Sequence, residues 1–228
     1  AFYREQSDWE YVESLLEASM KEGMKMERSF IITATKGTKT LEEVYQNVIT
    51  EKEKTHSGFA MSVWTNLEAY LEKIMPELEA NPFTKDLDLA EGLNMMDLGH
   101  LSEEVQSIVI SCVLEEIITM NHKTVVVIPE AWKFLPQARG NPVKWSAQKV
   151  IRQGAVLEIF LWLDSQDITG VDKSILKSVE VWLLGRQREK NEVERVLDQL
   201  PSSQKPKAEE IMRLEKGQFY TAAGNYCR

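Results

Sequence analysis

Three polar side chains follow apolar, strand-like runs at the points where those runs end. Glu130 ends TVVVIPE, Gln166 follows IFLWLDS and Arg186 follows VWLLG. When such strands lie parallel, their carboxyl ends meet at one edge of the sheet, where ligand sites gather. A carboxylate, an amide and a guanidinium at that edge suit the activation of a water molecule beside a phosphate group.

Each of these residues also has a plainer interpretation. Glu130 can mark the point where a strand reaches solvent, and Gln166 lies in LDSQD, a turn rich in Asp and Ser. Arg186 can be a surface arginine ahead of the helical run EKNEVERVL. The tryptophans beside the apolar runs, Trp132 among them, are interpreted as packing residues. The functional interpretation depends on the combination of the strand-end residues.

The elements around these residues indicate an α/β fold. After residue 92 the strand-like runs GLNMMDLG, TVVVIPE, VLEIFLWLDS and VEVWLLGR alternate with helical runs such as SEEVQSIVISCVLEEIITM and PVKWSAQKVIRQG. Strands that are apolar on both faces are typical of a parallel sheet covered by helices. We therefore expect a largely parallel sheet flanked by helices.

The first 85 residues are predicted to be mostly helical. DWEYVESLLEASMKEG, TLEEVYQNVI and FAMSVWTNLEAYLEKIM each space apolar residues along one face, while SFIITAT (29–35) is a short strand candidate. We divide the chain into a mostly helical subdomain or insertion over 1–85 and an α/β core over 86–228.

Charge and composition narrow the class of protein. The net charge is −9, and residues 143–228 are the basic part, with 14 Lys and Arg against 12 Asp and Glu. Contact with nucleic acid is therefore expected to be local and C-terminal. The three histidines show no metal-ligand spacing. The lack of a signal peptide or a membrane-length apolar run predicts a soluble cytoplasmic protein without membrane contact.

The order of the later motifs resembles a known family. NMMDLGHLSEEVQ, TVVVIPEAWKFLP, KVIRQGAVLEIFLWLDSQD, VEVWLLGRQ and LEKGQFY together are similar to the second half of a HerA/FtsK-type ATPase, over residues 92–228. Archaeal HerA-like helicases and conjugative coupling ATPases are the relatives it resembles. The resemblance implies a RecA-like P-loop NTPase fold, ATP and Mg²⁺ as cofactors, and a hexameric ring that translocates DNA. DNA, further copies of the chain and a nuclease or other repair protein are the implied partners.

The resemblance also implies roles for individual residues. Glu130 would polarise the attacking water, and Gln166 would contact the γ-phosphate or that water. Arg186 would neutralise transition-state charge across a subunit boundary, and Arg152 would replace an arginine that the family carries where this chain has the alanine of RQGA. Pro129 stands where the family has an acidic residue that holds the magnesium shell, and proline offers no ligand.

The phosphate-binding loop of such ATPases is missing from the sequence. No G-x-x-x-x-G-K-[ST] string is present, and the nearest segment, SFIITATKGTKTLEEV, offers Gly37, Lys39 and Thr40 as candidate nucleotide-binding residues in a strand-loop-helix setting. A plain turn with a capping box from Thr40 to Glu43 explains the same residues. Either the loop precedes Ala1 in a longer protein, or the chain has lost it.

Three functions remain open on the sequence. The first is the ATPase portion of a ring-forming DNA translocase or helicase. The second is a non-hydrolysing structural or regulatory module that keeps the fold without the Walker A loop. The third is another kind of α/β hydrolase with Glu130 as general base, although the chain carries neither a nucleophile elbow nor a dinucleotide fingerprint.

Overall fold

The computed structural model describes residues 12, 13, 16, 26–80, 87, 89–120, 123–137, 141–200 and 205–223. Within them the elements are α1 Arg28–Thr35, α2 Leu41–Lys54, α3 Gly58–Ala80, α4 Glu103–Met120, β1 Thr124–Ile128, α5 Ala131–Phe134, α6 Pro142–Leu157, β2 Ile159–Leu163, α7 Lys173–Leu176, β3 Val181–Leu184, α8 Lys190–Gln199, α9 Ala208–Met212 and β4 Tyr220–Ala223. The chain forms two compact units, Ala1–Thr124 with Ala138–Phe160 and Val125–Gln137 with Leu161–Arg228.

Helix packing holds the first unit together. α2 packs against α1 and α3, and α4 packs against α3 and α6. The buried side chains at the centre are large and aliphatic, and include Ile31, Val44, Leu67, Leu71, Ile74, Val105 and Ile108. Ser111 on α4 and Ser146 on α6 are hydrogen-bonded through their hydroxyls at 2.7 Å, which satisfies both groups in the buried interface. The predicted boundary near residue 85 differs from this division, since α4 packs with the earlier helices.

Side chains ahead of three helices accept hydrogen bonds from backbone N–H groups of the first turn. Thr40 Oγ1 accepts from Glu43 N at 3.2 Å ahead of α2, and Ser102 Oγ accepts from Val105 N at 3.4 Å ahead of α4. Asn141 Oδ1 accepts from Val143 N at 2.9 Å ahead of α6, whose first residue is a proline. These contacts fix where each helix begins.

β1 and β2 form a two-stranded parallel sheet. Thr124 N donates to Glu158 O and Asp164 N donates to Ile128 O, each at 3.2 Å, the slanted pattern of parallel neighbours. The predicted α/β class, with parallel strands flanked by helices, is confirmed. One difference concerns burial: alternate residues of both strands, including Val127 and Trp162, are more than half exposed at 58% and 56%.

The second sheet pairs β3 with β4 in the antiparallel direction. Its register joins Val181 to Ala223 and Leu184 to Tyr220. Trp182 and Leu184 are buried, while the alternate residues Val181 and Leu183 are exposed. The strand predicted over VEVWLLGR is therefore present, but its neighbour is β4, formed by the chain after QF, rather than a parallel strand.

The strand predicted over residues 29–35 is wrong. These residues form α1, in which Ile31, Ala34 and Thr35 are buried along one helical face. Thr33 and Thr35 donate their hydroxyls to the carbonyls of Ser29 and Ile31, one turn earlier, at 3.0 and 2.9 Å. Packing of this face against α2 outweighs the strand preference of the β-branched residues.

The strand predicted over residues 92–99 is also wrong. The segment contains no strand, and Leu93 and Met95 are exposed. Asn94 exchanges hydrogen bonds with the backbone of Ala90 at 3.0 and 2.8 Å, and Asp97 accepts from Gly99 N at 2.9 Å. Such side-chain bonds to nearby backbone compete with strand pairing.

Two further sequence-based expectations concern the chain's beginning and membrane contact. Of the helix predicted over DWEYVESLLEASMKEG, Val12, Glu13 and Leu16 are helical, and the rest lies outside the described residues. Among the helices of the described ranges, none combines the length and apolar character that a membrane crossing requires.

Candidate functional site

Glu130 occupies a bend between β1 and α5. Its backbone lies in the left-handed region, at φ 50° and ψ 43°, which costs a residue with a side chain about 1–3 kcal/mol. Its carbonyl accepts from Lys133 N at 2.9 Å, so the same residue ends the turn after the strand and begins the short helix. Glu130 is half-buried at this point.

Both oxygens of the Glu130 carboxylate accept hydrogen bonds from side chains. Gln166 Nε2 donates to Oε1 at 2.8 Å, and Trp132 Nε1 donates to Oε2 at 2.6 Å. N–H groups bonded to a carboxylate make stronger hydrogen bonds than those bonded to neutral acceptors. A carboxylate has about four lone-pair sites, so each oxygen keeps one site for a further donor such as water.

Backbone hydrogen bonds connect the segments that carry Glu130 and Gln166. Ala131 N donates to Asp164 O at 2.7 Å, which fixes the start of α5 to the end of β2. Further along, Asp172 N donates to Leu135 O at 2.8 Å. Gln137 N donates to Gly170 O at 3.2 Å, which closes the connection between the two segments. The segment that carries Glu130 and the segment that carries Gln166 are thus joined to each other by backbone hydrogen bonds.

The turn that carries Gln166 is organised by Asp167. Asp167 Oδ1 accepts from Thr169 Oγ1 at 2.7 Å and from Gly170 N at 2.9 Å, and Ser165 Oγ donates to Asp167 O at 2.8 Å. The Thr169 hydroxyl, followed by backbone N–H groups and the charge of Arg195, lowers the pKa of Asp167 against the opposing effect of burial. Asp167 is therefore a turn-forming anion, as the sequence predicts.

Gly170 allows this turn to approach the helix after β1. A Cβ at position 170 would lie 2.9 Å from Asp167 Oδ2 and 3.3 Å from Trp132 Cβ. Contacts this short require a neighbour to shift. The absence of a side chain at Gly170 therefore contributes to the placement of Trp132.

Neither predicted arginine is hydrogen-bonded to Glu130 or Gln166 among the described residues. Arg186 is exposed in the segment after β3 and makes no hydrogen bond or ion pair to another described residue. Arg152 is exposed on α6, in the first unit. The structure therefore brings together Glu130 and Gln166, and the roles of Arg186 and Arg152 stay predictions.

Residues 37–40 form a turn between two helices. Gly37 has a φ of 77°, Lys39 N donates to Glu43 Oε2 at 2.5 Å, and Thr38 N donates to Thr35 O at 3.2 Å. A phosphate loop needs free backbone N–H groups aimed at the ligand, whereas the N–H groups of Thr38 and Lys39 bond to the chain itself. The interpretation as a turn with a capping motif agrees with this geometry. Nucleotide binding by Gly37, Lys39 and Thr40 stays a prediction.

Magnesium does not fit the residues around Glu130. Mg²⁺ requires octahedral coordination by oxygen, and Pro129 supplies no ligand beside the single carboxylate of Glu130. Within the described ranges no group of three or more His, Cys, Asp and Glu side chains is arranged to hold a metal ion.

Trp132 is the site residue that the sequence analysis missed. Its position after an apolar strand favoured a packing interpretation, yet its indole N–H reaches the Glu130 carboxylate. The available signal was the spacing E-A-W directly after a strand end, which places the indole near the carboxylate once the chain turns into a helix.

Comparison with solved structures shows the fold. VirB4 of Thermoanaerobacter pseudethanolicus matches with a TM-score of 0.67 at 12% identity, covering 95% of this chain and 66% of that chain. The chain therefore shares the fold of VirB4 over most of its length. This chain spans 66% of the length of that structure.

The remaining comparisons give a weaker structural match and no match to a family model or a curated protein. The genome packaging NTPase from Sulfolobus turreted icosahedral virus 2, in complex with ATP-gammaS or with AMPPCP, matches with a TM-score of 0.44 at 17% identity, covering 69% of this chain and 87% of that chain. No protein-family model matches the chain. No curated protein matches it either.

Proposed function

We propose that this chain is the ATPase portion of a ring-forming DNA translocase or helicase of the HerA/FtsK type. Glu130 activates the attacking water, and Gln166 contacts that water or the γ-phosphate. The observation that carries the proposal is the hydrogen bond of 2.8 Å between Gln166 Nε2 and Glu130 Oε1 at the carboxyl ends of neighbouring parallel strands. The VirB4-like fold supports it.

The chemistry of the pair suits hydrolysis of a phosphoanhydride. Glu130 keeps a lone-pair site on each oxygen and can accept a proton from water. Gln166 uses one N–H on Glu130, which leaves a second N–H and a carbonyl oxygen to orient a water molecule or a phosphate oxygen. Phosphoryl transfer depends mainly on positioning and electrostatics, and both residues extend from backbone that is bonded between the strand ends.

Other parts of the full protein complete the site in this proposal. In this proposal the phosphate loop belongs to another segment, because the G-x-x-x-x-G-K-[ST] string is missing here and the N–H groups of Thr38 and Lys39 bond to the chain itself. Arg186 and Arg152, both exposed, serve neighbouring subunits of the ring. DNA binds the basic C-terminal part, where 14 Lys and Arg stand against 12 Asp and Glu after residue 142.

Substitution of Glu130 tests the proposal. We expect Glu130→Gln to lower ATP turnover at least about 100-fold with little change in KM, because a proton acceptor is lost while shape is kept. Turnover is measured with and without DNA, on this chain and on the chain with its preceding sequence restored.

Glu158→Gln is the matched control, since Glu158 is also a left-handed glutamate, at φ 57° and ψ 37°, at the other end of β2. Full activity is expected there. Unchanged turnover in Glu130→Gln, or no turnover with the preceding sequence restored, contradicts the proposal.

A non-hydrolysing structural or regulatory module is the second candidate. Two observations favour it: the G-x-x-x-x-G-K-[ST] string is missing, and Pro129 precedes Glu130. This candidate predicts a folded chain that binds no ATP in equilibrium titration, whether or not the preceding sequence is present. Micromolar binding of a nonhydrolysable ATP analogue contradicts it.

A further inference from the structure

We propose that Trp132 is a positioning residue that fixes the orientation of the Glu130 carboxylate, together with Gln166. The inference rests on the proposed function, because it assigns Trp132 a role through the same carboxylate. We call the three side chains the carboxylate clamp: Glu130 as acceptor, with Trp132 and Gln166 as donors.

The geometry of the clamp restricts one rotation in particular. The terminal torsion of a glutamate is broad and roughly two-fold, so an unbonded carboxylate samples many orientations. Here Trp132 Nε1 bonds to Oε2 and Gln166 Nε2 bonds to Oε1. Rotation of the carboxylate breaks both hydrogen bonds, whereas a single donor would permit movement about its own bond. Two donors on different oxygens therefore define the plane in which the remaining lone pairs lie.

Trp132 is itself held firmly. It lies on α5, whose first residue, Ala131, donates its N–H to Asp164 O at 2.7 Å. Gly170 approaches so closely that an added Cβ would lie 3.3 Å from Trp132 Cβ, and Lys133 Nζ lies 5.6 Å from the centre of the indole ring. An indole has only two side-chain torsions, so a ring carried on backbone that is fixed in this way places its N–H at little entropic cost.

The chemistry of the indole suits positioning rather than proton transfer. The indole nitrogen only donates, so it takes no proton from Glu130 or from water. Loss of Trp132 Nε1 therefore leaves the proton acceptor in place and removes its orientation. The kinetic effect is therefore expected in kcat, since the indole N–H bonds to the Glu130 carboxylate.

The hydrogen bond itself is tested in this chain by ¹H–¹⁵N spectra of the tryptophan indoles. The indole N–H signal that disappears from the spectrum of the Trp132→Phe variant is assigned to Trp132. We expect Glu130→Ala to move that resonance upfield and to speed its exchange with water, while the indole of Trp162, more than half exposed at 56%, stays unchanged. A Trp132 indole that ignores Glu130→Ala overturns the inference, whatever the activity.

Kinetics test the positioning role. We expect Trp132→Phe to lower kcat about tenfold at constant KM. In the Glu130→Gln background the same substitution lowers turnover no further, because Trp132 acts through the carboxylate. Trp182→Phe, a buried tryptophan on β3, is the control that loses packing and keeps kcat.

The outcomes separate the two proposals. An equal loss from Trp132→Phe in the wild-type and Glu130→Gln backgrounds overturns the positioning role. A wild-type chain without turnover counts against the proposed function, and the indole spectra still decide whether the clamp exists.

Discussion

At the scale of single residues, the placement of the Glu130 carboxylate requires a strained backbone conformation. Glu130 adopts a left-handed backbone that costs about 1–3 kcal/mol, yet the bend is where both of its oxygens find donors. Glu158 adopts the same conformation at the end of α6, where a left-handed residue is common at helix ends. The left-handed conformation therefore ends a helix at Glu158, whereas at Glu130 it places a carboxylate between two donors.

The charge of Asp167 is predicted to stabilise the turn of Gln166 in a pH-dependent way. Its pKa in the folded chain lies below the ordinary value of 3.8, mainly because Thr169 donates to it. The stabilisation is therefore fully present above that ordinary value and is lost as pH falls through the folded pKa. We expect Asp167→Asn to lower the melting temperature more at pH 7 than at pH 3.

Two measurements accompany that prediction. Thr169→Val removes the hydrogen bond that contributes most to the lowered pKa of Asp167. This substitution should therefore also lower the melting temperature more at pH 7 than at pH 3. Glu192 contributes with opposite sign, because burial, and next the charge of Asp167, raises its pKa, which favours the folded state at low pH. The comparison is therefore made in a Glu192→Gln background, and an equal melting difference at both pH values there contradicts it.

At the scale of helices and strands, the end of α6 lies very close to the start of β2. A Cβ on Gly154 would lie 2.3 Å from Ile159 O, a backbone atom that begins β2. We expect Gly154→Ala to destabilise the chain by about 2 kcal/mol, or roughly 4–8 °C in melting temperature, because the helix end and the strand must separate. Thermal denaturation followed by circular dichroism measures this.

Gly58→Ala is the control for that substitution. Gly58 begins α3, and an added Cβ there meets nothing within 4 Å, so the alanine should stabilise the chain by a few tenths of a kcal/mol or more. Equal melting temperatures for Gly154→Ala and the wild type would show that β2 does not depend on the close approach.

The elements also show where sequence patterns succeed. TVVVI and IFLWL, the central parts of the predicted runs TVVVIPE and VLEIFLWLDS, are strands because these apolar runs are short and bounded by turn residues. The helix before IFLWL begins at a recognisable cap, Asn141. Residues 29–35 form a helix because their burial against α2 follows a helical period, which a run of seven residues barely displays. Trp132 was missed because its contact depends on the bend at Glu130, which the E-A-W spacing does not predict by itself.

At the scale of the whole molecule, the proposed ring requires that a site use residues of two subunits. Arg186 is exposed after β3 and has no partner among the described residues, which suits a guanidinium that serves a neighbour's nucleotide. Glu130 belongs to the subunit's own site. Arg186→Ala and Glu130→Gln should therefore each abolish most turnover for different reasons.

Mixing the two inactive variants tests this arrangement. In a ring assembled from equal amounts of both, a site that combines Glu130 of one subunit with Arg186 of the next recurs at roughly a quarter of the interfaces, by random placement in a cyclic assembly. We expect about that share of ATP turnover to return after the variants are mixed under conditions of subunit exchange. Arg188→Ala, an exposed arginine two residues along, should keep full activity alone. If the mixture stays as inactive as its components while exchange is demonstrated, Arg186 acts within its own subunit or not at all, and the ring no longer explains why this arginine is exposed.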